Sequence, residues 1–161
     1  LFYSNIYKNI MTAYYNIIDT LKTALQAEPF VNTVSYGNIY DIDLSKQTIF
    51  PLSHIMVNQA TISAPTTTFN VTIMCMDIVD NPKTEDTSAF LGNTNEQDIL
   101  NTQLNIASRI VSKLMRGDLF SDLYQVEGTA SCEPFNERFE NSLTGWAVTF
   151  DVVVPTNMTI C

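Results

Sequence analysis

The chain has 161 residues, of which 45% are hydrophobic and 16% charged, and its formal net charge is −9. That length fits one domain able to bury a core without staples. Only 8 Lys and Arg are present; phosphate neutralisation needs such cations, which argues against a sequence-independent grip on nucleic acid. The charged fraction lies below the usual value of about 25%, with Asn, Thr and Ser carrying much of the polar surface. This suits a surface covered by neighbours, and compositional bias explains it equally well.

Three cysteines, Cys75, Cys132 and Cys161, form no CxxC pair. An odd, unpaired set argues against a disulfide framework or a zinc site and fits a reducing compartment. No signal peptide is visible. No apolar run reaches the roughly 18 residues that span a bilayer. Leu1 stands where an initiator Met would, which leaves room for a missing leader. Two glycosylation sequons, at Asn70 and Asn157, are no more frequent than chance provides, and the first falls in a predicted strand.

The first predicted element is a helix over Tyr7–Ala27. Ile10, Tyr14, Ile17, Leu21 and Leu25 recur at spacings of three and four and form one apolar stripe. Pro29 stops it. Asn32–Tyr36 reads as a short strand, turned by Gly37-Asn38 into a second strand over Ile39–Leu44. Phe50–Ser63 is the next strand, with Pro51 at an edge or irregular start. Ala60–Thr68 connects it to Phe69–Val79. There Phe69, Val71, Ile73 and Cys75 share one face, and Asn70, Thr72, Met74 and Met76 the other. Cys75 is expected as a buried free thiol.

Asp80–Asn95 is a predicted loop. Asn95 or Thr94 caps a second helix that runs to Arg116, with Gly117 beyond it. Leu100, Leu104, Ala107, Val111 and Leu114 make its predicted stripe. Leu123–Glu133 is a strand of mixed polarity and Pro134–Asn141 an irregular connection. Trp146–Val154 is the cleanest strand, with Trp146, Val148, Phe150, Val152 and Val154 alternating against Ala147, Thr149 and Asp151. Thr156–Cys161 is a tail, so the core spans about residues 7–155. The fold class is α+β: a mainly antiparallel sheet with a long hairpin, flanked by two amphipathic helices.

No catalytic constellation lies on this plan. His54 is the only histidine, and a nucleophile site would have to use it. No nucleophile motif surrounds it, so a satisfied sheet histidine is the stronger reading. Asp41 and Asp43 would share a strand face, and Asp77, Asp80, Glu85 and Asp86 cluster around a loop. Neither set has calcium-loop spacing, and solvated carboxylates account for both. There is no P-loop, no GxGxxG and no HExxH. Catalytic, metal and cofactor residues are therefore expected to be absent.

The layout resembles a known family. The stretch Ile49-Phe50-Pro51-Leu52-Ser53-His54-Ile55, the Ala60–Thr68 hairpin, the Phe69–Val79 strand, the helix Glu96–Met115 and the strand Trp146–Val154 are similar in order to tail-terminator and tail-completion proteins of tailed bacteriophages. The resemblance is one of pattern and covers about Ile10 to Pro155. Phe2, Tyr3, Tyr7 and the tail lie outside it, as candidate docking arms.

The resemblance implies a non-enzymatic ring subunit of the virion neck or tail, assembled in the host bacterial cytoplasm. A six-fold ring is favoured and a twelve-fold ring is the alternative. Portal or adaptor proteins would lie on one side, tail-tube proteins on the other, and DNA would pass through the lumen without sequence-specific contact. Candidate contacts are Ile62, Ser63, Ala64, Pro65, Thr66 and Thr67 at the hairpin, and Asp80, Glu85, Asp86, Phe90 and Leu91 in the loop. Two other readings stay open: a small-ligand domain with a cavity lined by Trp146, Phe150 and Met74, and an enzyme built on His54.

Overall fold

The computed structural model describes residues 13–44, 46–64, 66–79, 95–116, 125–138 and 143–155. The elements are α1 (Ala13–Gln26), β1 (Thr33–Tyr36), β2 (Leu52–Ile62), β3 (Thr66–Ile78), α2 (Glu96–Met115), β4 (Gln125–Arg138) and β5 (Leu143–Pro155). One five-stranded sheet has the order β1-β2-β3-β5-β4. β1 runs parallel to β2, and every other neighbouring pair is antiparallel. The α+β class with a mostly antiparallel sheet and two helices is as expected.

In α1 the stripe holds at Ile17, Leu21 and Leu25, which are buried, while Tyr14 is partly exposed. Ile10 lies outside the described residues. In α2 the buried stripe is Ile99, Gln103, Ile106, Ile110 and Leu114, with Ala107 and Val111 beside it. The predicted stripe holds at Ala107, Val111 and Leu114 and fails at Leu100 and Leu104, which are only half-buried. The polar Gln103 hid the true face, and its Oε1 is buried with no hydrogen-bond partner among the described residues. Asn95 occupies the N-cap position but makes no side-chain cap bond.

The hairpin expected at Gly37-Asn38 is not formed. Gly37 takes φ 109°, a left-handed value that redirects the chain. The Asn38 side chain then accepts the Tyr40 N–H at 3.1 Å and starts a 3-10 turn over Ile39–Asp41. With no return strand to pair, β1 lies parallel to β2, from Thr33 opposite Leu52 to Tyr36 opposite Ile55. Asp41 and Asp43 are exposed and do not share a strand face. Ile39, Ile42, Leu44 and Ile49 instead fold over the sheet as an apolar cap.

The sheet therefore has two unequal faces. On one, Ile55, Val71, Ile73, Cys75, Val148, Phe150 and Val152 pack against α1 and α2. Burying a side chain as large as Phe150 contributes roughly 2–3 kcal/mol. On the other, Leu52, Met74, Met76, Phe135 and Leu143 pack beneath the 39–50 cap. Met74 and Phe150 thus belong to opposite sides of the sheet, so the single cavity needed for the small-ligand reading does not form around them. Trp146 instead donates its Nε1–H to the Leu100 carbonyl at 2.8 Å and ties β5 to α2.

Two expected connections are strand. β2 and β3 pair out to Ile62 opposite Thr67, so the Ala60–Thr68 link shrinks to residues 63–65. β4 continues through Pro134, which pairs with Trp146, to Arg138. An edge strand tolerates proline because one side of its ladder needs no N–H.

Candidate functional site

The hairpin end is closed by Ser63. Its N–H donates to the Thr66 carbonyl at 2.9 Å, and its hydroxyl lies 3.2 Å from the Thr66 hydroxyl. Ile62 is 71% exposed, an unusual position for a large apolar side chain. Ser63 and Ala64 are exposed and Thr66 half-buried. Thr67 is buried opposite Val154 on the helix-facing side, so it is no free contact residue. Pro65, Asp80, Glu85, Asp86, Phe90 and Leu91 lie outside the described residues. Asp77 is in β3, not in a loop; its carboxylate accepts the Ile78 N–H at 2.8 Å.

Beyond the 39–50 cap, the outer sheet face is polar among the described residues. A ladder crosses it. Asn58 Nδ2 donates to Asn70 Oδ1 at 2.9 Å and to Thr72 Oγ1 at 2.7 Å. Asn70 Nδ2 donates to Asp151 Oδ1 at 2.8 Å, and the Thr72 and Thr149 hydroxyls are 2.9 Å apart. Gln59, Thr61, Thr68, Asn70, Glu127 and Asp151 line a shallow hollow of about 390 Å3 on this face, with no Lys or Arg among the described residues. Amides and hydroxyls that satisfy one another across strands make a rigid, hydrophilic wall whose formal charge is negative.

These ladder residues were missed from sequence. Their signal was present in the alternation of Asn70 and Thr72, and of Thr149 and Asp151. The pairing that brings the two strands together is not local.

His54 is fully buried. Its Nε2 lies 2.8 Å from the Gly37 carbonyl and its Nδ1 2.7 Å from the Ser35 hydroxyl. The carbonyl can only accept, so Nε2 carries the proton and Nδ1 accepts from Ser35. Both nitrogens are engaged in holding β1 and its following turn to β2, which leaves neither for proton transfer. Burial lowers the imidazole pKa, opposed by the Gly37 bond.

The unfolded chain thus binds more protons below about pH 6.5, and stability is lost as pH falls from there towards the lowered folded pKa. Comparing wild type with His54→Gln in urea, the stability gap should narrow between pH 7 and pH 5 by up to about 1.4 kcal/mol per pH unit. A gap independent of pH would contradict this account.

A cleft of about 310 Å3 lies between α1 and β1, lined by Tyr14, Tyr15, Ile18, Lys22, Val34 and Tyr36 among others. The Tyr14 and Tyr36 hydroxyls hydrogen-bond each other, and the Tyr14 ring stands edge-on to Phe69. Burial, aided by the Tyr36 hydroxyl, pushes the Tyr14 pKa up to about 12. The pair is a neutral clasp between helix and edge strand. Cys75 is a buried free thiol, as expected, with its pKa pushed up to about 12 by burial. A thiol so far from ionising is no nucleophile.

Among the described residues, no three His, Cys, Asp or Glu side chains are grouped to hold a metal ion. No described helix is long and apolar enough to cross a membrane. No protein-family model and no curated protein matches the chain.

Proposed function

We propose that this protein is a structural ring subunit of the neck or tail of a tailed bacteriophage, joining portal-side rings to the tail tube around the DNA channel. The observation that carries the proposal is the polar half of the outer sheet face. It is polar and hydrogen-bonded, it holds Glu127 and Asp151, and no cation among the described residues lines its hollow. A wall of this kind lets a polyanion slide past, because it offers no counter-charge to grip phosphate. The order of elements adds the family resemblance, and the engaged nitrogens of His54 speak against turnover there.

In this reading the protein works by surface complementarity and performs no chemistry. One ring face matches the portal or adaptor side and the other the tail tube. Its place is the virion, after assembly in the host cytoplasm.

Negative-stain electron microscopy of concentrated protein tests the proposal. Closed rings with an open centre are expected, six-fold for a terminator and twelve-fold for a portal-proximal adaptor. Particles without a central opening at every concentration overturn it, as does a lumen lined by Lys and Arg.

A further inference from the structure

Resting on the ring reading, we infer that neighbouring copies join through the two edges of the sheet, with Met56–Ile62 of one copy pairing antiparallel with β4 of the next. β1 accompanies β2 only as far as Ile55, and the last bond on that side runs from the Gly37 N–H to the Ile55 carbonyl at 3.1 Å. β2 then continues for seven residues, paired to β3 on one side and, among the described residues, to nothing on the other.

An open edge presents unsatisfied N–H and C=O groups, and proteins that must stay apart guard such edges with charge, proline or bulges. Met56–Ile62 contains no charged residue and no proline. A bulge at Asn58 is its only irregularity, and Asn58–Ile62 is exposed throughout.

The opposite edge is β4, and the two edges lie at one level. Across the sheet, Ala60 stands opposite Phe69, Phe69 opposite Val152, and Val152 opposite Val126. Gln59 is connected in the same way through Asn70 and Asp151 to Glu127.

Direction also agrees. The run β2-β3-β5-β4 is antiparallel throughout, so β2 and β4 point in opposite senses. A rotation about a ring axis preserves each strand's sense along that axis, so β4 of one copy meets β2 of the next antiparallel and the sheet continues unbroken. Such a contact is head-to-tail, as a ring requires.

Charge separates this pairing from one alternative. β4 carries exposed Glu127 and Glu133, which oppose β4 meeting β4, whereas the neutral β2 edge accepts it. The joint would also extend the polar wall, setting Gln59 and Thr61 beside the next copy's Gln125 and Glu127.

The test compares backbone hydrogen exchange in assembled protein and in dilute monomer. Amides within 56–62 and 125–131 should exchange at least about tenfold more slowly on assembly. A second measurement uses Thr61→Cys with Gln125→Cys, the two positions at one level, in a Cys132→Ser, Cys161→Ser background, leaving buried Cys75 in place. A short bis-maleimide should then give a ladder of covalent oligomers, and neither single variant should be cross-linked. Rings with unprotected edges and no ladder overturn the edge joint while the ring reading stands. Covalent dimers from Thr61→Cys alone show β2 meeting β2 and also overturn it. Monomers at every concentration overturn both.

Discussion

Replacing Gly145 by alanine is expected to lower the unfolding free energy by at least about 3 kcal/mol or to abolish folding. Gly145 lies inside β5, between Met76 of β3 and Phe135 of β4. A Cβ there would stand 1.9 Å from the Cys75 carbonyl oxygen, 2.8 Å from the Met76 Cα and 2.9 Å from the Cys75 carbonyl carbon. These are backbone atoms of the central strand, so no rotamer change relieves the clash. Either β3 or β5 must move, and both carry the core.

Gly128 makes an internal comparison. Its φ is 71° and a Cβ would meet nothing within 4 Å, so alanine there should cost only about 1–2 kcal/mol of backbone strain. Urea denaturation and soluble yield of the two variants check the ranking. Equal losses would mean that the approach at Gly145 is not what holds it as glycine.

The second large effect concerns Glu28, whose side chain is only 5% exposed although it is charged. It follows α1, and its carboxylate lies 3.0 Å from Arg109 Nη2 and 3.6 Å from Lys113 Nζ, both on α2. The pair of cations holds the end of one helix against the face of the other.

Replacing Arg109 and Lys113 together by methionine strands a carboxylate in a site closed to water. The expected loss is about 3 kcal/mol, at the low end for a broken buried pair because both cations sit at a wet rim. Glu28→Met alone should cost less, about 1 kcal/mol, since the freed cations are already partly hydrated. Removing all three should recover most of the loss, and the cycle reads the coupling directly. A triple variant no more stable than the double would mean that the helices dock without regard to this charge.

The particular residues explain how far sequence alone reaches here. The alternation from Val148 to Val154 and the spacing of Ile17, Leu21 and Leu25 are local periodicities, and both stand in the structure. The satisfied His54 followed from the lack of any nucleophile motif around it. What was misplaced depended on non-local pairing or on a polar residue in an apolar face. β1 reads as half of a hairpin because Gly37-Asn38 is a turn signal, yet its partner lies beyond the cap at Leu52. Gln103 broke the apparent stripe of α2. The strand expected from Trp146 begins earlier, at Leu143, and so takes in Gly145. The polar wall needs Asn70 beside Asp151, 81 positions away, and no window of sequence shows that. The acidic loop candidates lie outside the described residues and remain expectations.

That separation has a consequence for synthesis. β3 is the middle strand of the sheet, and it emerges next to its hairpin partner β2. Its other neighbour is β5, with Thr72 meeting Thr149 across 77 positions. Until the ribosome has delivered that second partner, a nascent chain holds only the strands β1, β2 and β3, and Val71, Ile73 and Cys75 stand on an open edge without their β5 neighbours. Long-range closure of this kind is slow and leaves apolar strand exposed meanwhile. Yield in a heterologous host should therefore depend on translation speed and chaperone supply as much as on the stability of the finished fold.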